Sequence, residues 1–400
     1  MQGVKESRFF LSALICGFCI AFQYAIIRPV SHSVFIDLCG MKAFAYAWMV
    51  MIPLNFICVG LYNRFLPVLG CFKICFIFTA LVVLSLLCGF LYIGHAASYA
   101  FGFYVWKEVY IMLFFQQLWS VVHATVSKEK AKRWYGFLFA AGALGGVLGS
   151  MIPGICAEKV GSISLMLYGL PVFPVLLVFY HLLLKHGKHQ QMDREQKPSF
   201  MEGFLLIRKS SLLVFILLLV TLMQVSSALV EYQFNTLLAA HSPDVDARTA
   251  YTGKVLAYVN AMTVFLQLVG TTLCLRVLGL KGGHILIASI LCLNSISLAF
   301  FPVFGLATVA YTTIKAFDFS LFGILKEMLY LPLKIEEKFQ AKAVIDVFAY
   351  RTAKAIASLL VITAPLFLVL WESVILCLFW LCAVFVFFKA YEKRASKALS

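Results

Sequence analysis

Stretch after stretch of apolar residues decides what this chain can fold into, because about 20 such residues in a helix cross the hydrocarbon core of a bilayer. The first runs from Phe9 to Ile27 behind Lys5 and Arg8. It is longer than a signal-peptide core and no small-residue cleavage site follows, so it reads as a first span, 9–30. Further spans are expected near 43–62, 71–94, 97–126, 134–157, 161–184, 211–240, 254–278, 284–302, 304–325, 343–368 and 372–390. Composition agrees. The chain is 62% hydrophobic and 13% charged, whereas soluble domains are about 45–50% apolar and about 25% charged. A polytopic, all-α membrane protein of about twelve transmembrane helices is expected.

The longest polar gap, 185–210, contains Pro198 and falls near the middle of the 400 residues. It divides the chain into a six-helix bundle over 1–184, a basic linker over 185–210 and a second six-helix bundle over 211–400. The formal charge of +15 comes from 33 Lys and Arg against 18 Asp and Glu. On a soluble protein that excess would suggest nucleic acid, but here no domain is left to carry it. Most of the cations fall in alternate loops and at the two ends, and the opposite loops offer only Lys42, Lys159 and Arg248. Such asymmetry orients a membrane protein with its basic loops inside. Both termini are therefore expected on the cytoplasmic side of the inner, cytoplasmic membrane.

Two halves of six spans match the parallel-repeat plan of the major facilitator superfamily. A weak internal echo supports it. Span 2 leads into Arg64, Gly70 and Lys73, and span 8 leads into Arg276, Gly279 and Lys281, a basic glycine turn in each case. Span 5 reads GALGGVLGSMIPG, with Gly142, Gly146 and Ser150 on one face, Gly145 and Gly149 on the next, and Pro153 beyond. Small residues four apart let helices approach closely, and the same residues suit a hinge.

The 12 Cys lie mostly in apolar runs and the eight His are scattered. Neither pattern spells a metal site, a disulfide framework or a cofactor. No nucleophile and base share one depth, so no enzyme is expected. Charges inside spans are different. Each costs about 2.5–3.5 kcal/mol at a helix centre and faces a cavity or a partner. Span 4 carries Lys107 and Glu108, which project about 100° apart. Span 7 carries Glu231 among Ser226, Ser227, Gln233 and Asn235. Span 10 carries Lys315 and Asp318 at i, i+3, then Lys326 and Glu327. Span 11 carries Asp346, Tyr350 and Lys354 on one face, with Arg351 a step round. Fixed cations in an apolar setting attract an anion, and Trp106, Tyr110, Trp119, Tyr311 and Tyr350 are placed either to pack or to stack on a planar ring. Salt bridges between helices are the alternative use of the same charges.

One segment resembles a known family. KEMLYLPL followed by KAVIDVF-x-x-R-x-x-K, within 317–354, looks like the signature of the non-mitochondrial ATP/ADP translocases of intracellular bacteria and plastids, a twelve-span branch related to the major facilitators. YAIIRPVSHSVF (24–35), KEKAKRWYG (128–136) and LVEYQF (229–234) agree in order. The resemblance implies nucleotide transport by alternating access, with Arg28, Glu108, Glu231 and Lys326 at or near transport-critical positions and Asp346, Arg351 and Lys354 in the signature. Arg28, Glu108, Glu231, Lys326, Arg351 and Lys354, with Lys107, Asn235 and Lys315, make the candidate substrate site; Asp318, Glu327 and Asp346 are candidate coupling or gating charges. Three positions depart from the pattern. Ser31 and Asn235 stand where a Lys is usual, and Asp318 stands where a basic residue is typical. Each lost charge-assisted bond to a phosphate is worth about 1.5–3 kcal/mol, so a less charged nucleotide-like anion is expected, whether by exchange or with protons. A monomer is expected, with the bilayer and a small anion as its partners. The alternative is a membrane sensor or assembly protein that keeps the fold without transporting.

Overall fold

The computed structural model describes residues 2–126, 128–187, 205–208, 210–330, 345, 349 and 352–399. Among these there is no β-strand. Helix α1 (Gln2–Cys39) runs through Pro29, and α2 (Ala43–Tyr92), α3 (Ala97–Thr125) and α4 (Lys128–Val160) follow. The short α5 (Leu165–Tyr168) and α6 (Val172–His186) come next. Further along the chain lie α7 (Ser211–His241), α8 (Val245–Phe265) and, after a π turn over Leu266–Gly270, α9 (Thr271–Phe300). Then come α10 (Phe304–Phe317), a second π turn over Asp318–Phe322, α11 (Gly323–Leu329), α12 (Thr352–Thr363) and α13 (Leu366–Leu399). In a bilayer only structures that satisfy their own backbone groups can span, which is why so apolar a chain becomes helix throughout.

Among the described residues, seven helical stretches are long and apolar enough to cross a membrane, the longest of them 50 and 56 residues. Each of those two bends at a single glycine with backbone angles no other residue adopts readily, Gly70 at φ 74° and Gly279 at φ 67°. These are the two glycine turns of the sequence echo. The connections are tighter than expected, since helix continues across 63–69 and Gly70 alone reverses the register. Helix α8 also starts earlier than expected, at 245 rather than 254. The polar run 243–253 had looked like a loop, and its polar groups are instead consumed by capping and packing.

Contacts divide the chain into two compact units. The first comprises 1–43, 50–193 and 242–261. Its centre is α1, packed on α3, α4 and α6 around an apolar cluster that includes Ile26, Ile27, Tyr110 and Phe173. Gly145 and Gly149 lie directly on the backbone carbonyls of Phe18 and Phe22, where no side chain fits. Segment 242–261 opens on its own helix cap and joins this unit through side-chain and backbone contacts. Asp244 caps α8 by accepting from the Ala247 N–H at 2.7 Å. Asp246 accepts from the Ser162 N–H at 2.6 Å. Arg248, 3% exposed, donates to the carbonyls of Ser33, Ser242 and Pro243 at 2.6–3.1 Å, with Asp37 at 3.9 Å. Gly253 meets Gly154 backbone to backbone, and the Asn260 amide reaches Ser150 at 3.4 Å.

The second unit comprises 44–49, 194–241 and 262–400. Helices α7, α9, α10 and α13 pack together. Gln233, 1% exposed, donates to Ser373 Oγ at 2.6 Å and to the Val369 carbonyl at 3.1 Å. The two π turns also meet here, through a Gln267 Nε2 bond to the Phe319 carbonyl at 3.0 Å.

Two outcomes follow for the first unit. Gly149→Leu forces α4 off α1 and lowers the unfolding temperature of the detergent-purified protein, overpacking costing about 1–3 kcal/mol or more. Arg248→Ala strands the buried Ser33 carbonyl, which receives a charge-assisted bond worth about 1.5–3 kcal/mol; it lowers the same temperature, and Arg248→Lys recovers only part.

Candidate functional site

Each unit buries a lysine against a glutamate. In the first, α3 places Lys107 at 0% exposure, its ammonium 2.7 Å from Glu108 Oε1. The same oxygen accepts from the Tyr24 hydroxyl of α1 at 2.9 Å. The ammonium sits over the Tyr104 ring at 4.4 Å and 5.8 Å from that of Tyr24, a cation–π setting that partly replaces water. One turn along α3, Tyr110 accepts from Gln23 Nε2 at 3.0 Å. The expectation that Lys107 and Glu108 point apart is corrected here. Their backbones do diverge, but both side chains are long and fold toward Tyr24.

In the second unit, α7 carries a polar stripe at helical spacing, Gln224, Ser227, Glu231 and Asn235. Facing it from α10, Lys315 Nζ donates to Glu231 Oε2 at 2.8 Å and Ser227 Oγ at 3.0 Å, and lies 5.7 Å from the Tyr311 ring. Asp318 does not pair with Lys315 in spite of the i, i+3 spacing. Its Oδ1 accepts from Gln224 Nε2 at 2.8 Å, two turns along α7 from Glu231. Asn235 is 3% exposed and lies one turn beyond Glu231. A plain α-helix would set Lys326 about 80° round from Asp318, but the extra residue in the π turn reduces that to about 20°. Both are accordingly buried, at 8% exposure each.

The remaining candidates are spread more widely. Arg28 stands one turn beyond Tyr24 on α1, partly buried, and Ser31 Oγ bonds back to its carbonyl at 3.1 Å. Glu327 is 4.0 Å from Lys326, with a side chain 43% exposed. Lys354 lies 5.8 Å from the Trp48 ring. Asp346, Tyr350 and Arg351 lie outside the described residues. Gly142 approaches the Gly17 carbonyl, Gly146 faces Asn260, and Pro153 is within α4. The aromatic candidates are used for packing. Trp106 donates to Ser85 at 3.0 Å, Trp119 stacks on His123, and Tyr311 stacks on Phe234 at 4.4 Å.

Reading the sequence by its charges missed Tyr24, Gln224 and Ser227, because a neutral hydroxyl or amide in a span carries little signal. Spacing from the charged residues would have found two of them: Ser227 is four residues before Glu231, and Gln224 seven. Arg248 was missed as a partner because it had been set aside as a loop cation. Among the described residues, no three His, Cys, Asp or Glu side chains come together as metal ligands.

An all-α membrane fold with buried, paired charges in each unit defines the class, a multi-pass membrane protein of major-facilitator-like fold. Solved structures over nearly the whole chain agree on the fold. The nucleoside transporter NupG superposes with TM-score 0.67 at 11% identity, covering 96% of this chain and 99% of that one. The POT family transporter PepTSo gives TM-score 0.70 at 11% identity, covering 96% and 98%. Within the class, residues 282–391 match the TLC ATP/ADP transporter family. The ADP,ATP carrier protein 1 of Chlamydia muridarum is 24% identical, covering 89% of this chain and 82% of that protein. Its counterpart from Rickettsia conorii is 20% identical over 88% and 84%. The likeness read from the 317–354 segment is thus borne out along most of the chain, and the transporter is similar to those of the ATP/ADP-translocase type.

Glu231→Gln leaves Lys315 as a buried charge without its carboxylate, and removing one partner of such a pair costs about 3–5 kcal/mol. The variant unfolds at lower temperature than wild type, and Glu231→Gln with Lys315→Met recovers much of the loss, as a double-mutant thermal melt would show.

Proposed function

We propose that this protein is a secondary active transporter that carries a nucleotide-like anionic metabolite by alternating access, in the cytoplasmic membrane with both termini inside. The observation that carries the reading is the pair of buried lysines, Lys107 and Lys315, each neutralised by a glutamate that is itself shared with, or flanked by, a neighbouring hydroxyl. A buried cation held by an exchangeable carboxylate is a site where an incoming anion competes with that carboxylate. Phosphate and carboxylate oxygens form strong, charge-assisted bonds of this kind. In the second unit Lys326, brought round by the π turn, adds another buried cation beside Lys315. The named substrates of the chlamydial and rickettsial relatives point to nucleotides.

The substrate is less charged than ATP. Where the translocase pattern supplies three cations, this chain has Ser31, Asn235 and Asp318, and the first two are buried, at 1% and 3% exposure. Neither offers a charge to a polyphosphate tail.

The test is thermal stabilisation of the purified protein against ATP, ADP, AMP, nucleosides and nucleotide-containing cofactors. A true ligand at 100 times its Kd adds about 2.7 kcal/mol of stability. That shift is expected from a monophosphate or cofactor and lost in Glu231→Gln and Lys326→Ala. Uptake of radiolabelled ATP by cells expressing the chain, competed by ADP, would show instead that the full exchanger activity survives. No shift with any member of the panel would remove the transport reading.

A further inference from the structure

We propose that Asp318 is a proton-binding site that loads one proton together with the anion, making this transporter a proton-coupled symporter; the inference rests on the transport reading above. Asp318 is the first residue of a π turn, is 8% exposed, and takes a hydrogen bond from a neutral amide, that of Gln224. The nearest cation on its own helix, Lys315, is committed to Glu231 and Ser227. Glu231 and Lys315 form a pair of zero net charge, so Asp318 adds a carboxyl that the pair does not neutralise.

The groups around it define when it holds the proton. Lys315 and Lys326 act on it electrostatically from the α10–α11 strand of helix. From α7 come the Gln224 amide and, through Lys315, Glu231. From the 266–270 turn the Gln267 amide binds the next carbonyl, that of Phe319, and from α9 His284 abuts Phe322 rather than the carboxyl. An ionised carboxylate away from water is stable only while cations face it. When an incoming anion engages Lys326, the positive field of that lysine is spent on the anion, and Asp318, beside the neutral Lys315–Glu231 pair, is left with the Gln224 amide. Taking up a proton at the carboxylate then restores neutrality, and release of the anion on the other side returns the cation and expels the proton. Lys326 is in reach of this exchange because the π turn rotates it onto the Asp318 face, a geometry that an unbroken α-helix would not provide.

Two measurements decide it. Infrared difference spectra of the purified protein between about pH 5 and pH 9 should show a protonated-carboxyl band that titrates and that is absent in Asp318→Asn, an isosteric change able to keep the Gln224 contact. Persistence of the whole band in Asp318→Asn overturns the proposal whatever the substrate proves to be. The second uses proteoliposomes with the membrane potential clamped and radiolabelled AMP as the probe. For one proton per anion, each pH unit of inward gradient supports about tenfold accumulation. Asp318→Asn should abolish that accumulation while keeping exchange of label against internal AMP, and Asp318→Glu should restore it. Accumulation driven by a sodium gradient instead, or indifferent to pH, overturns the proton assignment. Absence of both uptake and exchange in wild type counts against the transport reading, and the infrared band still decides whether Asp318 binds a proton.

Discussion

A charge in the hydrocarbon core has no water to turn to, and the arrangement of this molecule follows from meeting that one demand repeatedly. Lys107 is answered by Glu108, Tyr24 and the face of Tyr104; Lys315 by Glu231, Ser227 and Tyr311. Arg248 is answered chiefly by backbone carbonyls. Each solution draws groups from more than one segment of chain, so the buried charges also tie helices together. Loss of a single partner is therefore felt twice, in the site and in the packing.

The two units use the same device with different chemistry around it. In the first, the glutamate is the shared member, accepting from a lysine and a tyrosine. In the second, the lysine is shared, donating to a glutamate and a serine. A carboxylate with two donors is well held, whereas a lysine with two acceptors keeps a donor for a third. The second unit is also the one that carries both π turns and the extra acid, Asp318.

Much of this was legible in the sequence, and the limits are physical. Hydropathy marked the helices because the bilayer demands length and apolarity of each. Glycine turns at 70 and 279 were visible because only glycine tolerates their backbone angles. The charged residues announced themselves by their cost. What the sequence could not show was pairing. Lys107 and Glu108 looked opposed because helical geometry fixes the Cβ direction but not the reach of a four-carbon side chain. Lys315 and Asp318 looked like partners because i, i+3 spacing ignores a competing acceptor on another helix. The π turn at 318–322 has no sequence signal of its own, and it alone brings Lys326 into line. Polar residues 243–253 read as a loop because pattern alone does not reveal that Ser33, Ser162 and Gly154 await them.

The single-glycine bends at Gly70 and Gly279 have a mechanical consequence. A connector of several residues lets the helices it joins slide and tilt separately, absorbing displacement in slack chain. One glycine has no slack. Its two soft dihedrals transmit motion of one arm to the other, so each bent helix behaves as a cranked lever. Such a lever turns a whole hairpin rather than shuffling single helices. The same two positions, quiet in every chemical respect, join the arms of each bent helix into one mechanical piece.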